Sequence, residues 1–223
     1  VIVGAYLYDG GLPDEGAAMI YHGSEAGLSR LANRTLEINS SNAMFGISVG
    51  NAGDVNGDGF CDIIAGAAGY EKAKGRALVY HGSAKGIGPS PDWSFTGIQQ
   101  GENLGISVGT AGDVNGDGYS DVIVGSHLYS NGQKGEGCAR AFLGASGGLS
   151  SSPDWVKEGD VEAAQFGFSV GTAGDVNGDE YSDVIVGAPY YSDSAEEHGA
   201  VFVYHGSGSG LSGSSEWDQQ SSQ

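Results

Sequence analysis

The chain repeats itself, and the repeat limits what it can fold into. Phe45-Gly-Ile-Ser-Val-Gly-Asn-Ala-Gly-Asp-Val-Asn-Gly-Asp-Gly returns from Leu104 as Leu-Gly-Ile-Ser-Val-Gly-Thr-Ala-Gly-Asp-Val-Asn-Gly-Asp-Gly. It returns again from Phe166 as Phe-Gly-Phe-Ser-Val-Gly-Thr-Ala-Gly-Asp-Val-Asn-Gly-Asp-Glu. Asp54 to Asp113 is 59 residues and Asp113 to Asp175 is 62. A period of this size belongs to arrays in which one supersecondary unit stacks on the next, because a single unit cannot bury its own apolar faces.

Within each period four short apolar runs recur. The first surrounds Ser-Val-Gly. The second is Ile63-Ile-Ala-Gly, Val122-Ile-Val-Gly or Val184-Ile-Val-Gly. The third is Ala77-Leu-Val-Tyr, Ala141-Phe-Leu or Val201-Phe-Val-Tyr, and the fourth carries Trp93, Trp155 or Trp217. The second run is apolar without alternation, which predicts a strand covered on both faces. Glycine is abundant, 42 of 223 residues, without a Gly-x-y period and with only 5 prolines, so it marks tight turns and not collagen. A four-stranded unit of this length, covered on both faces and repeated, predicts an all-β protein, a β-propeller of four-stranded blades. A β-helix needs shorter repeats, and the density of turns excludes a helical solenoid.

The chain opens on Val1-Ile-Val-Gly, in mid-repeat. The expected division of residues 1–223 is therefore a partial blade over 1–44 with its first strand missing, then blades over 45–103, 104–165 and 166–223. This is about 3.7 blades, expected to be part of a larger ring or to be completed by another chain, since an unpaired strand edge is a liability.

The loop between the first two strands of each blade carries the chemistry. Asp54, Asn56, Asp58, the Phe60 carbonyl and Asp62 stand at positions 1, 3, 5, 7 and 9. Asp113, Asn115, Asp117, Tyr119 (carbonyl) and Asp121 stand there in the second loop, and Asp175, Asn177, Asp179, Tyr181 (carbonyl) and Asp183 in the third. This is an oxygen-only donor set with three carboxylates, suited to a hard cation, and flexible loops rich in protein oxygens favour Ca2+ over Mg2+. Three calcium sites are expected. The pattern starts like an EF-hand, but Ala65, Val124 and Val186 occupy position 12 in place of Glu, and a strand follows instead of a helix. Asp, Asn and Gly also make turns without any metal, but three copies with every donor kept argue for an ion. Cys61 lies where Ser120 and Ser182 lie, outside the donor set. The third loop has Glu180 where the others have Gly59 and Gly118, which predicts a strained turn and a weaker site.

These residues resemble the FG-GAP repeats of integrin α-subunit propellers and related extracellular or bacterial surface proteins. Phe45-Gly46 and Phe166-Gly167 match the first half of the name, with Leu104-Gly105 a variant. Gly187-Ala188-Pro189 matches the second, with Gly4-Ala5, Gly66-Ala67 and Gly125-Ser126 partial matches. The resemblance covers essentially the whole chain. It implies a seven-bladed parent ring, calcium in the loop joining the first two strands of a blade, ions that brace the face away from the usual ligand surface, and a location outside the cell or at its surface.

Charge narrows the partners. A formal charge of −19, from 28 acidic and 9 basic residues, makes nucleic acid and anionic membrane poor partners and cations or a basic partner better ones. No stretch is apolar enough to insert in a membrane. Two cysteines, Cys61 and Cys138, make no disulfide framework and are expected as small buried residues; a single bridge between them stays open. His22, His81 and His205 recur once per repeat between Tyr and Gly-Ser, and the tryptophans recur likewise, so both sets are expected to be structural. Asn33 and Asn39 begin glycosylation sequons. No nucleophile elbow, phosphate loop or zinc signature is present. The first functional expectation is a non-enzymatic, calcium-stabilised extracellular binding module for adhesion or protein–protein interaction, with a protein or glycan ligand and with self-association or the remainder of the propeller as further partners. An accessory propeller of a secreted enzyme of lyase or phospholipase type, and a scaffold subunit, are the alternatives. The loops Leu128–Gly137 and Tyr190–His198 are the least regular and are the places to expect ligand contacts.

Overall fold

A computed structural model describes residues 1–192 and 198–220, and these residues fold almost entirely as short antiparallel strands. The first sheet has three strands, β1 (Ile2–Ala5), β2 (Ala17–Ile20) and β5 (Arg34–Leu36), with a small hairpin of β3 (Gly23–Ser24) and β4 (Gly27–Leu28) beside it. The second sheet orders β6 (Phe45–Gly53), β7 (Asp62–Ala67), β8 (Arg76–Tyr80) and β9 (Trp93–Thr96). The third orders β10 (Ser107–Gly112), β11 (Asp121–Ser126), β12 (Cys138–Phe142) and β13 (Trp155–Glu158). The fourth orders β14 (Ser169–Gly174), β15 (Asp183–Ala188), β16 (Ala200–Tyr204) and β17 (Trp217–Gln220). Every sheet is an up-and-down meander, the architecture of a propeller blade. A helical turn at Tyr70–Ala73 is left-handed at Glu71 and Lys72.

The core lies between sheets. One cluster joins Ile64 and Val79 of the second sheet to Leu104, Val124 and Phe142 of the third. Another joins Ile123 and Ala139 of the third to Phe166, Val186 and Tyr204 of the fourth. The tryptophans are part of this stacking. Trp93 meets Phe142 of the next sheet edge-on at 4.8 Å, and its indole N–H donates to the Ser150 carbonyl at 2.8 Å. Trp155 does the same one sheet further on, edge-on to Tyr204 at 5.0 Å and donating to Ser212 at 2.8 Å. Such aromatic pairs contribute about 0.5–1.5 kcal/mol beyond area burial. Among the described residues Trp217 has no such neighbour, and it is 51 % exposed.

The glycines of the repeated Phe-Gly and Gly-Ala elements have one shared cause. A Cβ added to Gly66 would sit 1.9 Å from the Gly105 carbonyl oxygen of the next sheet, and one added to Gly125 would sit 1.9 Å from that of Gly167. The Phe-Gly turn of each blade therefore lies against the bare backbone of the preceding blade's second strand. Main-chain bonds run beside this contact: the Phe45, Leu104 and Phe166 amides donate to the Glu15, Lys74 and Glu136 carbonyls of the preceding sheet.

The histidines answer to the same logic. The His22, His81 and His205 amides donate to Asn33, Asp92 and Glu216, and the Leu143 amide, at the equivalent place, donates to Asp154. The position anchors the third strand to the fourth whatever its side chain. Cys138 is buried but Cys61 is exposed, and both are free, which corrects the expectation that both are buried. Cys61 stands where Ser120 and Ser182 meet the Asp loop of the preceding blade, and among the described residues no such loop precedes it.

Candidate cation-binding loops

Each Asp loop begins with a bulge. The β6–β7, β10–β11 and β14–β15 registers shift at Asn51/Gly53, Thr110/Gly112 and Thr172/Gly174, and the glycine takes a left-handed φ of 81°, 81° and 75°. The main chain then curls back over the side chain at position 1. Asp54 Oδ1 accepts from the Gly57 and Asp58 amides at 2.7 and 3.0 Å, and its Oδ2 accepts from Gly59 at 2.8 Å. Asp113 and Asp175 accept from the equivalent amides. The side chains at positions 3 and 5 meet each other: Asn56 to Asp58 at 3.1 Å, Asn115 to Asp117 at 2.9 Å and Asn177 to Asp179 at 2.9 Å.

Position 9 has a second duty that its sequence pattern does not disclose. Asp62, Asp121 and Asp183 are fully buried. Asp62 accepts from the Val55 amide at one oxygen and from Gly82 at the other; Asp121 accepts from Val114 and Gly144, and Asp183 from Val176 and Gly206. This carboxylate thus latches the loop to the turn that follows the third strand. Burial raises the Asp62 carboxyl above its ordinary range against the pull of the Gly82 and Val55 amides. Burial pushes Asp121 further, to about 7. At the exposed Asp175 the Glu180 amide leads a set of donors that hold the carboxyl below its ordinary range.

The loops also tie successive blades together. The Ser120 amide donates to the Asp54 carbonyl at 3.0 Å, and the Asp54 amide donates back to Ser120 Oγ at 3.2 Å. Ser182 and Asp113 repeat the exchange at 2.9 and 3.2 Å. The Tyr119 ring lies over Gly57 and the Tyr181 ring over Gly116, so close that a Cβ at either glycine would meet the ring at 2.6 and 2.7 Å. The equivalent Gly178 in the third loop meets nothing within 4 Å. Sequence reasoning placed Ser120 and Ser182 outside the donor set but did not give them this stitching role; their partners lie 66 and 69 residues away in the chain.

Glu180 adopts φ +74° where Gly59 and Gly118 take +86° and +89°. A side chain in the left-handed region costs about 1–2 kcal/mol, partly offset because glycine would loosen the unfolded chain. Glu180→Gly is therefore expected to stabilise the protein by roughly 0.5–1 kcal/mol. A denaturant midpoint that moves down in the variant would refute the strain.

The donor chemistry of the loops fits a hard cation. All side-chain donors are oxygens, and a carboxylate oxygen that accepts one N–H keeps a lone pair for an ion.

This geometry defines the class, a β-propeller segment with a repeated acidic loop between the first two strands of each blade. The FG-GAP-like repeat family matches residues 54–124, and the FG-GAP repeat family matches residues 166–204. Integrin alpha-PS2 of Drosophila melanogaster is 35 % identical over 162 residues, 70 % of this chain. Integrin alpha-V of Gallus gallus is 31 % identical over 188 residues, 82 % of this chain, and integrin alpha pat-2 of Caenorhabditis elegans is 36 % identical over 172 residues, 71 % of it. The chain belongs to the FG-GAP repeat proteins and is integrin-α-like. It spans only 11 %, 17 % and 14 % of the length of these three relatives. Among the described residues no helix is long and apolar enough to cross a membrane.

Proposed function

We propose that this chain is a calcium-braced segment of an extracellular adhesion propeller, a non-enzymatic module that binds a protein or glycan ligand. The observation that carries the calcium reading is the threefold recurrence of one loop geometry: Asp54, Asn56, Asp58, Phe60 and Asp62, with the equivalent residues of the other two loops, form three calcium sites. Likeness to integrin α subunits supports adhesion and a place at the cell surface. The blade limits proposed are 1–44, 45–103, 104–165 and 166–223. Blades of the same repeat, in the same or another chain, complete the ring to seven. Support for completion comes from the terminal faces, where Val3, Phe168, Ile185 and Trp217 are exposed although their counterparts in the second and third sheets are covered or half-covered. Ligand contacts belong on the loops opposite the Asp loops, among them Leu128–Gly137 and Tyr190–His198; residues 193–197 of the second fall outside the described residues.

Surfaces coated with the protein are expected to retain suspended cells in millimolar calcium and to release them in EDTA. Retention no greater than on albumin-coated surfaces in calcium would overturn the adhesion reading.

A further inference from the structure

We propose a calcium-class cation site of a second kind, formed by Glu136, Glu158 and Asp160 at the end of the third blade opposite its Asp loop. Glu136 lies next to last in the connection between β11 and β12, Glu158 ends β13, and Asp160 lies in the connection toward the next sheet. The three residues place one ligand oxygen each within 4.8 Å of one another. Glu136 is fully buried; its Oε1 accepts from the Asn131 backbone amide, while its Oε2 is buried with no hydrogen-bond partner among the described residues. The Asn131 side-chain Nδ2 donates to both Glu158 oxygens at 3.1 and 3.0 Å, and Lys157 Nζ lies 3.8 Å from Asp160. One ammonium at the rim and one neutral amide leave three clustered carboxylates short of positive charge. A buried carboxylate oxygen without a donor is costly, and a hard cation with several oxygen ligands satisfies it.

Blade packing does not demand these acids. The places of Glu136 and Glu158 are held by Lys74 and Thr96 in the second sheet and by His198 and Gln220 in the fourth. The first sheet repeats the arrangement: Glu15 is buried with an unpartnered Oε2, and a Cβ on Gly10 would lie 2.8 Å from both Glu15 Oε1 and Glu37 Oε1. Paired acids therefore occur on alternate sheets. In the third blade an ion would clamp the Leu128–Gly137 loop to the connection that enters the fourth. The Lys134 and Gly135 carbonyls already accept there from Ala163 and Gln165.

Nuclear magnetic resonance titration of the intact chain with calcium tests the site. Asn131, Glu136 and Asp160 amides are expected to shift with half-saturation at about 0.1–1 mM calcium, where extracellular modules bind. Glu158→Gln/Asp160→Asn, at half-buried and exposed positions, should abolish those shifts while leaving those of the Asp loops in place. Equilibrium dialysis should find one ion fewer per chain in this variant. The comparison is between parent and variant, so its result does not depend on how many ions the Asp loops take up. Asn131, Glu136 and Asp160 amides that stay fixed up to about 10 mM calcium, or shifts that persist in the variant, would overturn the proposal.

Discussion

Chelation of calcium with EDTA is expected to lower the melting temperature by about 15–30 °C. A site that binds only the folded state contributes about 2.7 kcal/mol when the ion is at 100 times its Kd, so three such loops contribute roughly 8 kcal/mol. That is comparable with the whole stability of an ordinary domain, about 5–15 kcal/mol. The structure gives a route for an effect this large. The Asp54 and Asp113 loops are bonded to the following blade through Ser120 and Ser182, so an empty loop loosens an interface as well as a turn. A matched ionic-strength control separates occupancy of the loops from general screening of the negative surface. The same melting curve in calcium and in EDTA would refute the bracing role. Asp58→Asn, Asp117→Asn and Asp179→Asn together should bring the calcium curve down toward the EDTA curve.

The second large effect is a contrast between two identical substitutions. Gly125→Ala and Gly187→Ala fall at the same place in successive blades, on β11 and β15. The Gly125 variant forces a methyl to 1.9 Å from the Gly167 carbonyl, main chain against main chain, and is expected to cost at least about 3 kcal/mol. Among the described residues the Gly187 variant meets only Ser169, at 3.6 Å, and is expected to stay within about 0.5 kcal/mol of the parent. Denaturant midpoints check both, and equal losses would refute the close approach of blades as the reason for the glycine. Gly187→Ala then becomes a probe of ring completion. If another blade seats on β15 as the fourth sheet seats on β11, this variant should weaken that association while leaving the isolated chain as stable as before. Sedimentation of the chain with its completing partner, or with itself, reads the difference.

Much of this molecule is legible in its sequence because the informative patterns are local. The four strands of each blade follow from runs of apolar residues between glycine-rich turns, and β11, apolar throughout, is buried along its length. The Asp loop is legible for the same reason, its donors falling within nine residues. What the sequence conceals is mostly what one blade does to the next. Ser120 and Ser182 read as spacers, and Gly66 and Gly125 as generic strand glycines, until their partners some 40 to 70 residues away are brought alongside. Asp62, Asp121 and Asp183 read as plain ligands, and nothing in the pattern shows that one oxygen of each holds its own loop while the other holds the turn after the third strand. Glu136 and Glu158 escape notice because they stand 22 residues apart, with no spacing rule to connect them. Whether Cys61 is covered depends on the blade before it, which no local pattern records.

The exchange between Ser120 and Asp54, and between Ser182 and Asp113, runs one way along the chain. The Asp54 and Asp113 loops are each roofed by the blade that follows. The stacking is therefore polar, like a row of overlapping tiles: among the described residues two loops are covered, and none covers the Asp175 loop in the same way. Whatever seats against the fourth blade would complete the overlap there, joining the calcium status of that loop to the presence of its neighbour.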